Sequence, residues 1–179
     1  MIHIRNAREE DAKYLVEISK SRWISGSTVG KKTGLVDYRV PSEEKYARRT
    51  SLGLFYVAED LDSKEIVGFL DCYKDNVLEE TFPNDSVLQE IINSENERFA
   101  YINTWVVREN YEGRGLTFNF VEKLNSELEK EYKNLWCAIV HKPIKNIMSI
   151  AVSKRIGFNL EKEFELPGSC TFGLYKMKR

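Results

Sequence analysis

The 179-residue sequence contains little histidine and cysteine and almost no net charge. Its 27 Lys and Arg residues nearly balance its 28 Asp and Glu residues, whereas a general nucleic-acid or membrane-surface protein normally carries a basic excess or a basic stripe. The composition therefore predicts neither nucleic acid nor a membrane as a partner. The two histidines, His3 and His141, are far apart and the cysteines lack the short spacing of metal ligands, so we expect no bound metal.

The sequence also lacks long apolar runs and an even set of cysteines. No segment approaches the ~20 apolar residues of a membrane span, and the first residues alternate in polarity instead of forming the apolar stretch of a signal peptide. The three cysteines, Cys72, Cys137 and Cys170, are an odd number, which suits reduced thiols. Together these absences predict a cytoplasmic protein.

The pattern of apolar residues predicts one mixed α/β domain over residues 1–179. A hydrophobic content of 42% with four prolines is ordinary for a folded domain, and the chain is long enough for a self-sufficient core. Periodicity and turn residues predict the order strand, helices, three strands, helix, strand, helix and two strands. The predicted strands are Ile2–Ala7, Leu54–Glu59, Glu65–Tyr73, Ala100–Val107, Leu135–Val140, Glu161–Leu166 and Thr171–Met177, and the main helices are Glu9–Ser21, Ser42–Arg49, Gly113–Tyr132 and Asn146–Arg155.

Two connecting segments have distinctive compositions. The segment from Ile24 to Pro41 is rich in glycine and serine, which favours a mobile loop. The segment from Asp75 to Glu97 holds seven carboxylates and no Lys or Arg, and we interpret it as a solvated connection with a short helix around Asp85 to Asn93. If it instead borders a binding groove, its charge would attract a cationic amine.

The most informative segment runs from Trp105 to Leu116, where a strand passes through a short turn into an amphipathic helix. Gly113 and Gly115 let backbone N–H groups approach an anion, and the helix dipole adds a partial positive charge, so a pyrophosphate fits this turn. The same glycines could serve only to make a tight turn, so the spacing alone leaves both interpretations open. The segment is neither a Walker loop, because it lacks Gly-Lys-Ser/Thr, nor a dinucleotide fingerprint, because it lacks a third glycine.

With these residues in view, the sequence resembles the GNAT superfamily of acyl-CoA-dependent N-acyltransferases. The family motif Q/R-x-x-G-x-G/A aligns with Glu112 to Thr117, after a strand that ends at Val107. A second segment, Asn146 to Phe158, is similar to the later family helix, in which an Asn stands eleven and twelve residues before Gly-Phe. The resemblance covers nearly the whole chain. It departs from the motif at its two ends, where Glu112 replaces Arg or Gln and Thr117 replaces Gly or Ala.

The resemblance implies a fold and a cosubstrate site. The implied fold is a mixed, mostly antiparallel sheet of about seven strands, with helices on both faces and with the fourth and fifth strands splayed apart. The implied cosubstrate is acetyl-CoA, whose pantetheine amides would pair with backbone groups left unpaired in the splay. The residues that would bind it are Trp105, Val106, Val107, Glu112, Gly113, Arg114, Gly115, Leu116, Thr117 and Asn146.

The mechanism implied by the resemblance is direct transfer in a ternary complex, with the Val107 N–H polarising the thioester carbonyl. A base must remove a proton from the acceptor amine, and His141 lies at the end of the strand beside the acyl site. His141 could equally be a surface or structural histidine. Asp71, or Glu79 and Glu80 beyond it, could act instead through water.

The general acid is a second open point. The position of the tyrosine that often protonates the leaving thiolate in the family is Ser153 in this sequence, and serine is too weak an acid to replace it. Tyr175 is a possible substitute, although a packed aromatic is the more ordinary role for it. Neither Cys137 nor Cys170 has a histidine beside it in sequence, so no cysteine acyl-enzyme is expected.

The resemblance thus implies an acetyl-CoA-dependent N-acetyltransferase that acts on a primary amine of a small molecule or peptide, with a homodimer possible. Because Glu112, Thr117 and Ser153 replace customary residues, one alternative is a catalytically silent domain that binds acyl-CoA as a regulatory or interaction module. A second alternative is a nucleotide-binding fold unrelated to CoA. In the segment from Ile24 to Pro41, Tyr38 and Lys31-Lys32 could favour an aromatic or anionic acceptor instead of a cationic one.

Overall fold

The computed structural model describes residues 1–24, 35–36, 40–166 and 170–179. The strands are β1 (Ile2–Asn6), β2 (Trp23–Ile24), β3 (Leu35–Val36), β4 (Leu54–Asp60), β5 (Glu65–Lys74), β6 (Phe99–Val107), β7 (Asn134–Lys142), β8 (Asn159–Glu165) and β9 (Thr171–Lys178). The helices are α1 (Ala12–Ser21), α2 (Glu43–Leu52), α3 (Asp75–Thr81), α4 (Ser86–Ser94), α5 (Leu116–Glu127) and α6 (Ile147–Ile156). Single 3-10 turns precede α1 and α5.

Seven strands form one sheet in the order β1-β4-β5-β6-β7-β9-β8. Neighbouring strands run antiparallel except β6 and β7, which are parallel. The short strands β2 and β3 pair in parallel outside this sheet. The predicted mixed, mostly antiparallel sheet of about seven strands is therefore confirmed.

Helices cover both faces of the sheet. Adjacent residues of β5 point to opposite faces, because Phe69 packs with α1 and α2 while Leu70 packs with α5. The helices α3 and α4 extend the first layer over β6 and β7. Apolar side chains at helical spacing make these contacts: Leu15 and Ile18 in α1, Leu88 and Ile91 in α4, and Leu116, Phe120 and Leu124 in α5. No helix in the described ranges is long and apolar enough to cross a membrane.

Local signals set several helix ends as predicted. Ser42 caps α2 by accepting a hydrogen bond from the Lys45 N–H at 3.3 Å, and Asn146 caps α6 by accepting from the Ser149 N–H at 3.1 Å. Gly157 ends α6 with a φ of 118°, a left-handed conformation that glycine adopts without strain. The helix after the glycine turn is shorter than predicted, because Leu128 has extended backbone and is buried beyond the helix end.

The prediction for the acidic segment from Asp75 to Glu97 was wrong in one respect. It forms two helices, α3 and α4, instead of a solvated connection with one helix. Its carboxylates also have structural partners: Asp75 pairs with Arg98, Glu90 with Lys162 and Glu95 with Lys176, while Asp85 caps α4. The prediction rested on the number of carboxylates and overlooked the apolar residues that both helices bury, which are Leu78, Val87, Leu88 and Ile91. Most of the predicted mobile loop, including Tyr38 and Lys31-Lys32, lies outside the described residues.

A buried ion pair fixes β1 to the start of α1. The two terminal guanidinium nitrogens of Arg5 donate to the two Asp11 carboxylate oxygens, at 2.7 and 2.9 Å, and the Arg8 N–H donates to the same carboxylate at 2.8 Å. Burial opposes ionisation of Asp11, but these hydrogen bonds outweigh it and leave its pKa below the usual 3.8. The ionised carboxylate therefore stabilises the folded chain.

We expect Asp11→Asn to lower the free energy of unfolding by about 2 to 4 kcal/mol at pH 7, because it leaves the Arg5 guanidinium without its bidentate partner. A carboxyl whose folded pKa is lowered stabilises above its unfolded pKa, and that contribution is lost as the pH falls through the folded value. The difference between parent and variant should therefore shrink below about pH 4 in denaturant titrations. Glu10→Gln is the control, since this side chain is 72% exposed and its pair with Arg8 should be worth under about 0.5 kcal/mol. An equal loss at acid pH would contradict the assignment.

Candidate active site

The strands β6 and β7 pair over only part of their length. Phe99 to Ile102 are in register with Asn134 to Cys137, and beyond that point β6 continues to Val107 and β7 to Lys142 without pairing to each other. Each strand keeps its outer neighbour, β5 or β9, to its end. The predicted splay between the fourth and fifth strands of the sheet is therefore present.

A β-bulge marks the start of the splay. Asp71 of β5 pairs with Thr104 and Cys72 pairs with Ile102, so Asn103 is an extra residue in β6. A bulge bends its strand and increases the local twist, which accounts for the departure of β6 from β7 at this residue. The Asn103 side chain stabilises the bulge by donating to the Asp71 carboxylate at 2.9 Å and to the Thr104 hydroxyl at 3.0 Å.

The alternation of β6 directs two backbone N–H groups into the gap. The Arg108 N–H donates to the Val67 carbonyl at 2.8 Å, on the β5 side. Because N–H groups alternate between the two edges of a strand, those of Val107 and Trp105 point to the β7 side, where the sheet is open. These amides can therefore donate to a ligand that lies between the strands.

Two cavities meet at this gap. One, of about 480 Å³, lies between the glycine turn, α5 and α6, and the other, of about 380 Å³, lies on the side of α2 and α4. Leu35, Trp105 and Ser149 line both. The splay thus links a site on one face of the sheet to a site on the other.

The larger cavity brings together most of the predicted cosubstrate residues. Arg114 does not line it, because its guanidinium lies over the Tyr111 ring, 4.6 Å from the centroid. Asn146 lines the smaller cavity. The predicted residues in the larger cavity are Trp105, Val106, Val107, Glu112, Gly113, Gly115, Leu116 and Thr117.

The glycine turn is shaped for a close approach by an anion. Gly113 and Gly115 have φ angles of 74° and 76°, and a Cβ at either would meet no atom of the other described residues within 4 Å. Gly115 is the N-cap of α5, and in the described residues no side chain caps the first N–H groups of this helix. The chain therefore offers open backbone donors and a helix dipole, which fit the diphosphate of CoA.

Asp71 lies behind the wall of the smaller cavity. It is fully buried, accepts hydrogen bonds from Asn103 and from the Tyr73 hydroxyl at 3.1 Å, and its Oδ1 has no hydrogen-bond partner among the described residues. Burial raises the pKa of this carboxyl, while the nearby Arg49 guanidinium opposes the shift. Asn103, Thr104 and Arg49 all line the cavity. The structure thus places a carboxyl with a raised pKa one residue away from this space.

The structure brings His141 and Tyr175 into contact, and neither is among the described lining residues of the two cavities, although Val140 beside His141 lines the smaller one. His141 Nε2 lies 2.9 Å from the Tyr175 hydroxyl and Nδ1 lies 2.6 Å from a carboxylate oxygen of Glu163. Burial raises the pKa of Tyr175, and the hydrogen bond from His141 lowers that of Glu163. Sequence reasoning missed Glu163, which faces His141 only because β8 and β7 both flank β9.

The remaining candidates are less favourably placed. Ser153 is buried and donates to the Ser149 carbonyl at 2.6 Å, so its hydroxyl is occupied within α6. Glu79 and Glu80 are exposed on α3. In the described ranges, no group of three His, Cys, Asp or Glu side chains is arranged to hold a metal ion.

Residues 16–158, well over half of the chain, match the model of the Acetyltransferase (GNAT) family. No curated protein matches the sequence significantly.

Several solved structures have a similar fold. Arabidopsis thaliana NAA60 in complex with acetyl-CoA superposes with a TM-score of 0.68 at 16% identity, over 100% of both chains. Chaetomium thermophilum Naa20 in complex with a bisubstrate analogue gives 0.66 at 16% identity, over 98% of this chain and 86% of that chain. The protein smu.2055 from Streptococcus mutans UA159 gives 0.67 at 19% identity, over 98% of both chains. At these identities the likeness concerns the fold alone.

We expect thiol chemistry to separate the cysteines. Burial raises the pKa of Cys72 and Cys137, whereas Cys170 is partly exposed near the β8–β9 connection. A thiol-disulfide reagent should therefore modify Cys170 quickly and the other two only after unfolding, since the thiolate is the reactive form. Cys170→Ala should abolish the fast phase. Fast modification of Cys137 in the folded protein would contradict this assignment.

Proposed function

Because this chain belongs to the acetyltransferase (GNAT) family, we propose that it transfers an acetyl group from acetyl-CoA to a primary amine of a small molecule or peptide. The observation that carries the proposal is the gap between β6 and β7, at which a cavity beside the glycine turn meets a cavity on the other face of the sheet. A thioester entering from one side and an amine entering from the other would meet there.

The first part of the proposal concerns the cosubstrate. The backbone N–H groups of the turn at Gly113, Arg114 and Gly115, with the start of α5, bind the diphosphate. The free edge of β6 at Trp105 and Val107 pairs with the pantetheine amides, and Asn146 contacts the same arm from the start of α6. The support is the uncapped helix start and the unpaired strand edge, whose donors need partners when water is displaced.

The second part concerns the chemistry. The amine nitrogen forms a bond to the thioester carbon, the carbon–sulfur bond breaks, CoA leaves as the thiolate and the amine proton passes to a base. The Val107 N–H points into the gap and stabilises the negative charge that develops on the thioester oxygen, a contribution of about 10² to 10³ in rate. Asp71 is the base and takes the proton through a water molecule, because burial raises its pKa and because Asn103 and Thr104 beside it line the acceptor cavity.

The described walls of the smaller cavity lack the acidic character expected if the whole segment from Asp75 to Glu97 bordered the acceptor groove. Of the seven carboxylates between Asp75 and Glu97, only Asp85 lines the smaller cavity, and it is engaged in capping α4. Arg49 contributes a positive charge to the same walls. This balance gives no support to a polycationic acceptor, and we propose a primary amine without a second positive charge.

One observation favours the alternative of a silent acyl-CoA-binding module. Ser153 stands where many relatives carry an acidic tyrosine, and its hydroxyl is buried against the α6 backbone. Turnover on an amine panel separates the two functions. Binding of acetyl-CoA without acetylation of any amine would identify the silent module.

We expect calorimetry to detect micromolar binding of acetyl-CoA and no comparable binding of ATP or NAD. The double variant Gly113→Asp, Gly115→Asp should bind acetyl-CoA at least about 100-fold more weakly, because two carboxylates would face the diphosphate. The matched control is Gly113→Asn, Gly115→Asn, which has the same shape and tolerates left-handed φ equally well but adds no charge. This control should bind acetyl-CoA no more than about 10-fold more weakly than the parent. Unchanged affinity in the Asp variant would contradict the assigned site.

We expect Asp71→Asn to lower kcat by about 10² to 10⁴ while the affinity for acetyl-CoA stays the same. A base with a raised pKa is active only when deprotonated, so kcat of the parent should rise with pH through a value above 3.8, and the variant should lack that rise. His141→Gln and Tyr175→Phe test the other two predicted catalytic residues in the same assay. Full kcat in Asp71→Asn, with loss in His141→Gln, would move the base to His141.

A further inference from the structure

The proposed function leaves one departure from the family motif to explain. A carboxylate, Glu112, stands at the head of the glycine turn, and it lines the same cavity as Gly113 and Gly115. A negative charge at this place opposes the approach of a diphosphate. The surrounding residues determine whether this repulsion is felt.

An arginine from a distant part of the chain faces that carboxylate. Arg22 follows α1 directly, and its guanidinium forms an ion pair with Glu112, ninety positions further along the sequence. A second carboxylate, Glu109, lies 3.8 Å from the same guanidinium but is itself 83% exposed. Arg22 also lines the cavity beside the glycine turn. The turn is therefore bordered by a cation that the motif itself does not contain.

The burial of Arg22 makes this arrangement informative. Its side chain is only 8% exposed, and a buried guanidinium is costly unless charged or polar groups surround it. Glu112 offsets that cost and holds the planar group in one orientation. An arginine carries five N–H donors in a rigid fork, so one edge can hold a carboxylate while another meets a phosphate oxygen.

We propose that Arg22 binds the diphosphate of acetyl-CoA and that Glu112 is a positioning residue that holds the Arg22 guanidinium beside the glycine turn. A cation, which the family motif carries at its first position when that residue is Arg, is then supplied from the end of α1, and Glu112 orients it instead of opposing the ligand. This inference rests on the proposed acetyl-CoA site. It adds a side-chain cation to the backbone donors already assigned there.

The test is calorimetry with acetyl-CoA on the parent and on variants of the pair. Arg22→Gln should weaken binding by about 10- to 100-fold, because charge-assisted hydrogen bonds are lost, and should reduce the salt dependence of Kd. S-acetylpantetheine, which lacks the diphosphate, should stabilise parent and variant equally in thermal melts at millimolar concentration. Arg8→Gln, an exposed arginine paired with Glu10, is the matched control and should bind acetyl-CoA like the parent.

Variants of Glu112 test the positioning role. Glu112→Gln keeps an oxygen that accepts from Arg22 and removes the negative charge, so it should bind acetyl-CoA as tightly as the parent or a few-fold more tightly. Glu112→Ala should bind more weakly than Glu112→Gln, because Arg22 loses its anchor. A merely electrostatic role for Glu112 predicts no such difference, with both variants binding acetyl-CoA equally well and more tightly than the parent.

A charge exchange keeps the test decisive if Arg22→Gln is unstable. Arg22→Glu should lose binding, and adding Glu112→Arg should restore it to within about 3-fold, because the cation then sits at the head of the turn. Parent-like binding of acetyl-CoA by folded Arg22→Gln or Arg22→Glu would overturn the inference while leaving the proposed function intact. A folded parent that does not bind acetyl-CoA would overturn both.

Discussion

The limited pairing of β6 with β7 is the constraint on which the site depends. Two parallel strands that share four registered residue pairs and then separate leave backbone amides without a sheet partner. Such groups are tolerated only where water or a ligand can reach them, so the separation requires an adjoining open space. The two cavities that meet at Trp105 and Ser149 are that space. The outer neighbours β5 and β9 stay paired with the diverging strands to their ends, so the strands part without losing their place in the sheet.

The polar groups around this gap are supported from a distance in the sequence. Asn103 links the bulge to Asp71, Arg22 links the end of α1 to Glu112, and Glu163 links β8 to His141. Each contact joins elements that only the folded sheet brings together. Because buried polar groups are costly when unpaired, these contacts also restrict the positions that the side chains can adopt. The same interactions therefore stabilise the fold and order the candidate site.

The sequence predicted helix ends and turns well where they depend on neighbouring residues alone. Side-chain hydrogen bonds at Ser42 and Asn146 begin their helices, and the backbone preference of Gly157 ends one. The glycine turn can be predicted from the spacing of its residues. The helix α3 was missed because its carboxylates dominate a segment with few apolar positions.

Features that depend on tertiary contacts could not be predicted from the sequence. The splay itself was expected only through resemblance to a family, since no residue pattern reports that two strands will part. The roles of Arg22 and Glu163 carry no local signal at all, because their partners are 90 and 22 positions away. The burial of Asp71 likewise follows from the layers on both sides of β5 and not from its neighbours in the chain.

The bulge at Asn103 makes the length of β6 as important as its composition. The extra residue bends β6 while Thr104 stays opposite Asp71 and Ile102 stays opposite Cys72, so deleting it would keep both pairs in continuous register and remove the bend. Trp105 and Val107 could then continue the pairing with β7 instead of directing their amides into an open gap. Insertions and deletions in this strand should accordingly be far less acceptable to natural selection than substitutions. The bulge therefore keeps the end of β6 apart from β7.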